Sequence, residues 1–224
     1  MSRRSIYVET TIAVDLDRVW ELTQNPAQHV RWDGRFTRIT PESRPEGEPR
    51  DFTYELKLPG VLLSGTGRSV GERVRVDGTR TSALRFQAGS RLSPIRAGSG
   101  YWRYEPAPAG VRFLTGYAYE PGPQGTWLDE VCVRPALGWL TAWSFDRLRL
   151  WAERGLAPEV ALRRTVGATA LRVAVVAIAL RRRSLPLAVI GLSPAPMALP
   201  RARRCLRQPP SLADARPPQT LATL

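Results

Sequence analysis

The sequence predicts an α+β domain: an antiparallel meander covered on one face by one long C-terminal helix, with a basic tail behind it. Three observations lead there. Period-two apolar runs, separated by Gly, Pro and Asp, recur through residues 5–120. One long stretch of helical periodicity, Ala136–Arg154, follows them. Finally, all 7 Trp, 6 Tyr and 5 Phe of the 224 residues stand at or before Trp151, whereas residues 160–224 carry +10 of the net charge of +13. A core built on aromatic area therefore ends near Gly155, and a segment of different character begins.

The elements follow in order. Ser5–Val14 alternates Ile6, Val8, Thr10, Ile12 and Val14 against Tyr7, Glu9 and Thr11, a half-buried strand and not a secretory leader. Asp15 caps a short helix over Leu16–Thr23, and Asn25-Pro26 opens another over Ala27–Val30. Strands are expected over Phe36–Thr40, Asp51–Leu58, Leu62–Val76 with a bend near Gly71, Thr81–Ala88, Ser99–Glu105 and Val111–Glu120. The last two flank the turn Pro106–Gly110. Pro135 starts the long helix, in which Leu137, Leu140, Ser144, Leu148 and Trp151 form one stripe that Trp143 widens, and Gly155 stops it. A twisted sheet must cover its apolar face, and this helix is the available cover.

Composition narrows the chemistry. Hydrophobic residues at 43% and charged residues at 24% are globular values. One His and two Cys, Cys132 and Cys205, exclude a multi-His metal site, a disulfide framework and a four-Cys zinc site. The expectation is a soluble cytoplasmic protein without metal or cofactor. Of the 33 basic residues 32 are Arg, a bias spread along the whole chain and so a coding background rather than a phosphate site. His29 is a general-base candidate by type, but no neighbour in sequence supplies a nucleophile, which favours a surface or capping role. Arg85, Arg103 and Arg112 alternate with apolar neighbours and should face solvent; Trp20 and Trp32 should anchor the short helices. Asp146 has Arg149 at i+3, or the neighbourhood of Arg147, as a pairing partner, worth a few tenths of a kcal/mol. Gly65-Thr-Gly67 and Gly98-Ser-Gly100 lack the strand-to-helix step of a phosphate loop.

The opening YVETTIAVDLDRVWELTQNPAQHVRWD, with its strand, Asp-Leu-Asp turn, Val-Trp, Asn-Pro and Arg-Trp-Asp, and the closing AWSFDRLRLWAERG resemble the START/polyketide-cyclase/birch-pollen-allergen (SRPBCC) superfamily over about residues 5–155. The resemblance implies a helix-grip fold, a curved sheet around the long helix with a cavity between them. By alternation, Tyr54, Leu56, Phe86, Trp102, Tyr104, Phe113, Thr115 and Tyr117, with Trp143 from the helix, would line it. The same alternation suits a solid core, and both readings stand. A hydrophobic small molecule, lipid or polyketide-like, is the implied partner of residues 1–156, bound without obligatory chemistry. The alternative is an aromatase/cyclase using a Tyr, Thr or Arg proton donor, with Tyr117 and Arg103 as candidates.

Residues 157–200 form the basic, partly apolar tail and 201–224 a Pro/Arg-rich end. The apolar run 166–180 is shorter than a bilayer core and contains Arg172. Arg164, Arg172, Arg182 and Arg183 fall within one arc of a helix, which suits an anionic membrane surface and a peripheral location at its inner face. With no aromatic residue in the tail to stack on bases, specific nucleic-acid binding is not expected.

Overall fold

The computed structural model describes residues 5–42 and 50–182. In chain order the elements are β1 (Ile6–Ile12), α1 (Leu16–Gln24), α2 (Pro26–Trp32), β2 (Arg38–Pro41), β3 (Asp51–Leu58), β4 (Val61–Val74), β5 (Arg80–Ala88), β6 (Ile95–Ala107), β7 (Gly110–Pro121), α3 (Gly125–Leu128), a π-helical turn (Asp129–Val133), α4 (Arg134–Arg154) and α5 (Pro158–Arg181). The seven strands make one antiparallel sheet in the order β1-β7-β6-β5-β4-β3-β2. Strands β2 to β7 are a continuous meander, and β1 pairs with β7, with Val8 opposite Thr115. The helix-grip architecture expected from the sequence is the architecture observed.

Local chemistry sets the boundaries. The Asp15 carboxylate accepts the Arg18 backbone N–H at 2.7 Å and starts α1. Asn25 ends α1 and caps α2 by accepting the Ala27 N–H at 3.0 Å, with Pro26 in the first turn. Gly155, at φ +65°, closes α4 in the left-handed conformation that other residues avoid. The ladder between β4 and β5 slips between Ser69 and Gly71, which is the bend foreseen there.

Inward-facing rings of β6 and β7 stand against α4. Phe113 stacks on Phe145 at 4.5 Å between centroids, and Trp102, Tyr104 and Leu148 complete the packing. Both short-helix tryptophans are anchors as expected: Trp32 is fully buried and donates to the Leu22 carbonyl at 2.9 Å, and Trp20 lies 5.0 Å from the Tyr104 ring.

Three expectations need correction. The long helix is expected to start at Pro135, yet the chain already enters a helix at Gly125 and continues through the π turn into α4. Buried Asp129 holds that turn, accepting from the Tyr119 hydroxyl at 2.7 Å and from Arg134 at 3.1 Å. Arg103 and Arg112 do lie on the outer face with Arg85, but only Arg85 is solvated. Arg103 is buried over the Tyr101 ring, and Arg112 joins Glu9 and Glu105 in an ion network. The Asp146–Arg149 pair is present at 3.4 Å, but it is buried, where the few tenths of a kcal/mol of an exposed helix pair does not apply, and Arg149 also binds Glu153 at 2.9 Å.

Candidate functional site

The inner face of β3 to β5 is built differently from that of β6 and β7. Phe52, Tyr54 and Phe86 point inward, and each stands opposite a glycine of the next strand: Gly67, Gly65 and Gly98. The rings lie down over those glycines. A Cβ at Gly67 would come within 2.2 Å of the Phe52 ring, at Gly65 within 2.3 Å of the Tyr54 hydroxyl, and at Gly98 within 2.4 Å of the Phe86 ring. The Tyr54 hydroxyl reaches across to donate to the Gln87 carbonyl at 3.2 Å, and burial pushes it up to about 12. The product is a low, aromatic wall on which Phe52, Tyr54, Leu56, Leu84 and Phe86 all remain half-buried.

A polar knot closes one end of this wall. Asp33, at the C-terminus of α2, is buried and accepts the Arg35 backbone N–H at 3.0 Å. The Arg35 guanidinium grips the same carboxylate with Nε at 2.9 Å and Nη2 at 2.6 Å. Burial alone would raise the Asp33 carboxyl; Arg35 and the hydrogen bond from His29 outweigh it and hold it well below the usual carboxylate range. His29 Nε2 lies 3.0 Å from Asp33 Oδ2. Burial pushes the imidazole below its ordinary 6.5, so it is neutral at pH 7, and an Asp33 carboxylate requires the proton on Nε2. The lone pair of Nδ1 is then available as a base.

Rings connect the knot to the wall. His29 stacks on Trp32 at 5.0 Å and meets the edges of Phe36 at 5.3 Å and Trp102 at 4.8 Å; Phe36 meets Tyr54 at 5.6 Å. The Arg35 guanidinium sits 5.6 Å from the Phe36 ring centre and 5.5 Å from that of Tyr117. Thr141 spends its hydroxyl proton on the Leu137 carbonyl at 2.8 Å, so the Tyr117 hydroxyl is the donor in their 2.9 Å contact. Asp33, Arg35, His29 and Tyr117 thus give a greasy surface one polar end of near-zero net charge, the carboxylate offsetting the guanidinium.

The residues singled out from the sequence divide into groups. Tyr54, Leu56 and Phe86 lie on the half-buried wall; Trp102 and Tyr117 stand where wall and core meet. Tyr104, Phe113 and Thr115 are enclosed: Tyr104 bonds to Thr23 and Gln24, Phe113 stacks on Phe145, and Thr115 donates to the Tyr101 carbonyl. Trp143 is displaced. It lies about 160° around α4 from Phe145 at ~100° per residue, stacked on exposed Trp139 at 6.0 Å with Arg147 4.6 Å over its ring. His29 is not the surface residue expected, because α2 lies against the inner face of the sheet. Arg35 and Phe36 were not among the expected site residues: Arg35 lies in the turn after Gly34, and the strand expected from Phe36 begins only at Arg38, which leaves Phe36 outside the alternation. In the tail, Arg164 and Arg182 are exposed, Arg172 is half-buried, and Arg183 lies outside the described residues.

A trough of about 820 Å³ crosses the opposite, outer face, over the register row Ala118–Ser99–Arg85–Arg68–Asp51. Its alternating charges and small side chains are unlike the aromatic wall. Among the described residues no group of three or more His, Cys, Asp or Glu could hold a metal ion.

The family model for polyketide cyclase / dehydrase and lipid transport matches residues 3–153. The chain belongs to this family. Its match takes in every element from β1 almost to the end of α4 and leaves α5 outside. A relative from Bacillus subtilis (strain 168), the uncharacterized membrane protein YndG, is 44% identical over 170 residues, 74% of this chain; the chain spans 63% of that relative's length. Among solved structures, the di-domain aromatase/cyclase StfQ of the steffimycin biosynthetic pathway aligns with a TM-score of 0.53 at 13% identity, over 67% of this chain and 50% of that one. A STAR-related lipid transfer protein from Xanthomonas axonopodis aligns with a TM-score of 0.50 at 15% identity, over 65% and 83%. At these identities the likeness is one of fold, and the polyketide cyclase/dehydrase and lipid transport family shares it. No helix of the described residues is long and apolar enough to cross a membrane.

Proposed function

We propose that the domain binds a hydrophobic small molecule, lipid or polyketide-like, along the aromatic wall of β3 to β5, with the molecule's polar end at Arg35 and the Tyr117 hydroxyl. The observation that carries this reading is the way Phe52, Tyr54 and Phe86 lie down on glycines. Phe113, standing upright against Phe145 of α4, is fully buried, whereas the rings lying flat keep apolar area half-buried and available. Membership of a family described by polyketide cyclisation and lipid transport agrees with such a guest. Native mass spectrometry of the purified chain, with fluorescence titration against fatty acids and aromatic polyketide mimics, tests it. Bound ligand or saturable binding is expected, weakened when Gly98→Val forces the Phe86 ring upright. No carried ligand and no affinity for either class would overturn it.

A second reading, an aromatase/cyclase-type enzyme, is favoured by one feature, the Asp33-held neutral His29 beside the wall. A base there takes a proton from carbon between two carbonyls; the C–H pair becomes the enolate and attacks a second carbonyl, the resulting alkoxide takes that proton back from the imidazolium, and removal of the remaining proton on the same carbon forms the C=C bond as the hydroxyl leaves as water. Arg103, on the outer face, has no place in it. Turnover of a poly-β-ketone mimic, lost in His29→Gln and Tyr117→Phe, is the expected result. A rate no greater than that of buffer would remove the enzymatic reading and leave the binding one standing.

A further inference from the structure

Among the described residues, helix α5 packs on the domain at its start. Pro158 and Ala161 are buried, Ala161 against Leu150, and Glu159 holds Arg31 at 2.7 Å. Beyond that anchor the outward side of the helix is apolar and bare: Val166, Leu171, Val173, Ile178 and Leu180 are 48–72% exposed, and Gly167, Ala170, Ala174 and Ala177 between them are exposed too. Residues 165–180 contain one charge, Arg172, and it is turned to the other side, in a covered stripe with Thr165, Ala168, Val175 and Ala179.

Arginine pairs bracket the bare panel. Arg163 and Arg164 precede it, Arg181 and Arg182 follow, and all four are exposed. The pairs are 18 residues apart, which is five whole turns, so they share one azimuth and stand about 27 Å apart at ~1.5 Å per residue.

We propose that this outward face of α5 is a docking surface for an anionic lipid bilayer, lying in the plane of the interface. An uninterrupted apolar strip of this kind is what monomeric proteins avoid displaying to water. Guanidinium pairs at both ends match phosphate and carboxylate headgroups, while the strip between them supplies apolar area for the headgroup–acyl boundary. Charge excludes the simplest protein partner, a second α5. Packed antiparallel, two copies set Arg163 and Arg164 against Arg181 and Arg182; packed parallel, each pair meets itself. After Glu159 the helix has no carboxylate to relieve either arrangement.

Co-sedimentation of the full-length chain with vesicles tests this. Phosphatidylcholine vesicles containing about 30% phosphatidylserine are compared with phosphatidylcholine alone. The chain is expected to pellet with the anionic vesicles and to be released by salt. Replacing all four arginines (Arg163→Gln, Arg164→Gln, Arg181→Gln, Arg182→Gln) should weaken partitioning at least about tenfold, and so should Leu171→Asp with Ile178→Asp. All these positions are exposed, so circular dichroism should be unchanged. Equal pelleting of either variant, or none by the parent chain, overturns the proposal. A concentration-dependent dimer abolished by Leu171→Asp and Ile178→Asp, without vesicle binding, also overturns it and makes the panel a protein interface. Ligand binding on the aromatic wall plays no part in the readout.

Discussion

Asp33 is the residue on which most of the site's geometry converges. It ends α2, fixes the Arg35 guanidinium and orients the His29 imidazole, all through two buried oxygens. Removing its charge leaves a nearly buried guanidinium without its counter-ion, so Asp33→Asn should cost about 3 kcal/mol in a urea unfolding titration. His29 gives a pH signature. Its folded pKa lies below the unfolded value of 6.5, so near and below that pH the unfolded chain binds the extra proton. Stability is then complete above pH 6.5 and declines as the pH falls toward the folded pKa. With one histidine in the chain, His29→Gln should flatten the melting temperature between pH 7 and 5.5; an unchanged slope would show the imidazole to be solvated. Neither role was visible in the sequence. His29 stands in a seven-residue helix too short to define an apolar face, and whether that helix lies on the sheet is a tertiary fact. Trp143 shows the converse: a large ring in a strong helical stripe was assigned to the sheet side, but Gly34 and Arg147 offered it a berth on the far flank.

Among the elements, the strands were readable because each has one covered face, and alternation reports that face directly. The pairing of a ring with a glycine on the next strand was not, since it needs register, and register comes from the folded sheet. Gly98→Val should therefore cost about 1–3 kcal/mol by overpacking, in addition to its effect on binding. The lead-in to α4 carries Pro121, Gly122, Pro123 and Gly125, which give no helical periodicity, so the sequence starts the helix only at Pro135. What turns that segment into helix is a long-range bond, Tyr119 to buried Asp129 at 2.7 Å. Tyr119→Phe leaves one carboxylate oxygen without that donor and should lower stability by about 1–2 kcal/mol. Hydrogen exchange would then quicken first in residues 125–133; uniform quickening across the sheet would mean that the bond serves the fold as a whole.

For the molecule as a whole, the aromatic residues stop at Trp151 and the family match at residue 153, and α5 beyond them differs in composition. The two parts should differ in local stability. Residues 144–150 of α4 are buried on every side, whereas α5 past Ala161 is mostly exposed. Amides of Val166–Leu180 in free protein should exchange orders of magnitude faster than those of α4. Comparable protection in the two helices would require a cover over α5 in the isolated chain.

The recumbent rings of β3 and β5 also bear on how guest preference can change. At Gly65, Gly67 and Gly98 even one added methyl collides with the ring that lies there, so these three positions are closed to gradual enlargement. Phe52, Tyr54 and Phe86 are not: each can be traded for a smaller or branched side chain while the backbone beneath stays as it is. Shifts in the girth of molecule accepted should accordingly be written in those three positions, over an unvarying floor.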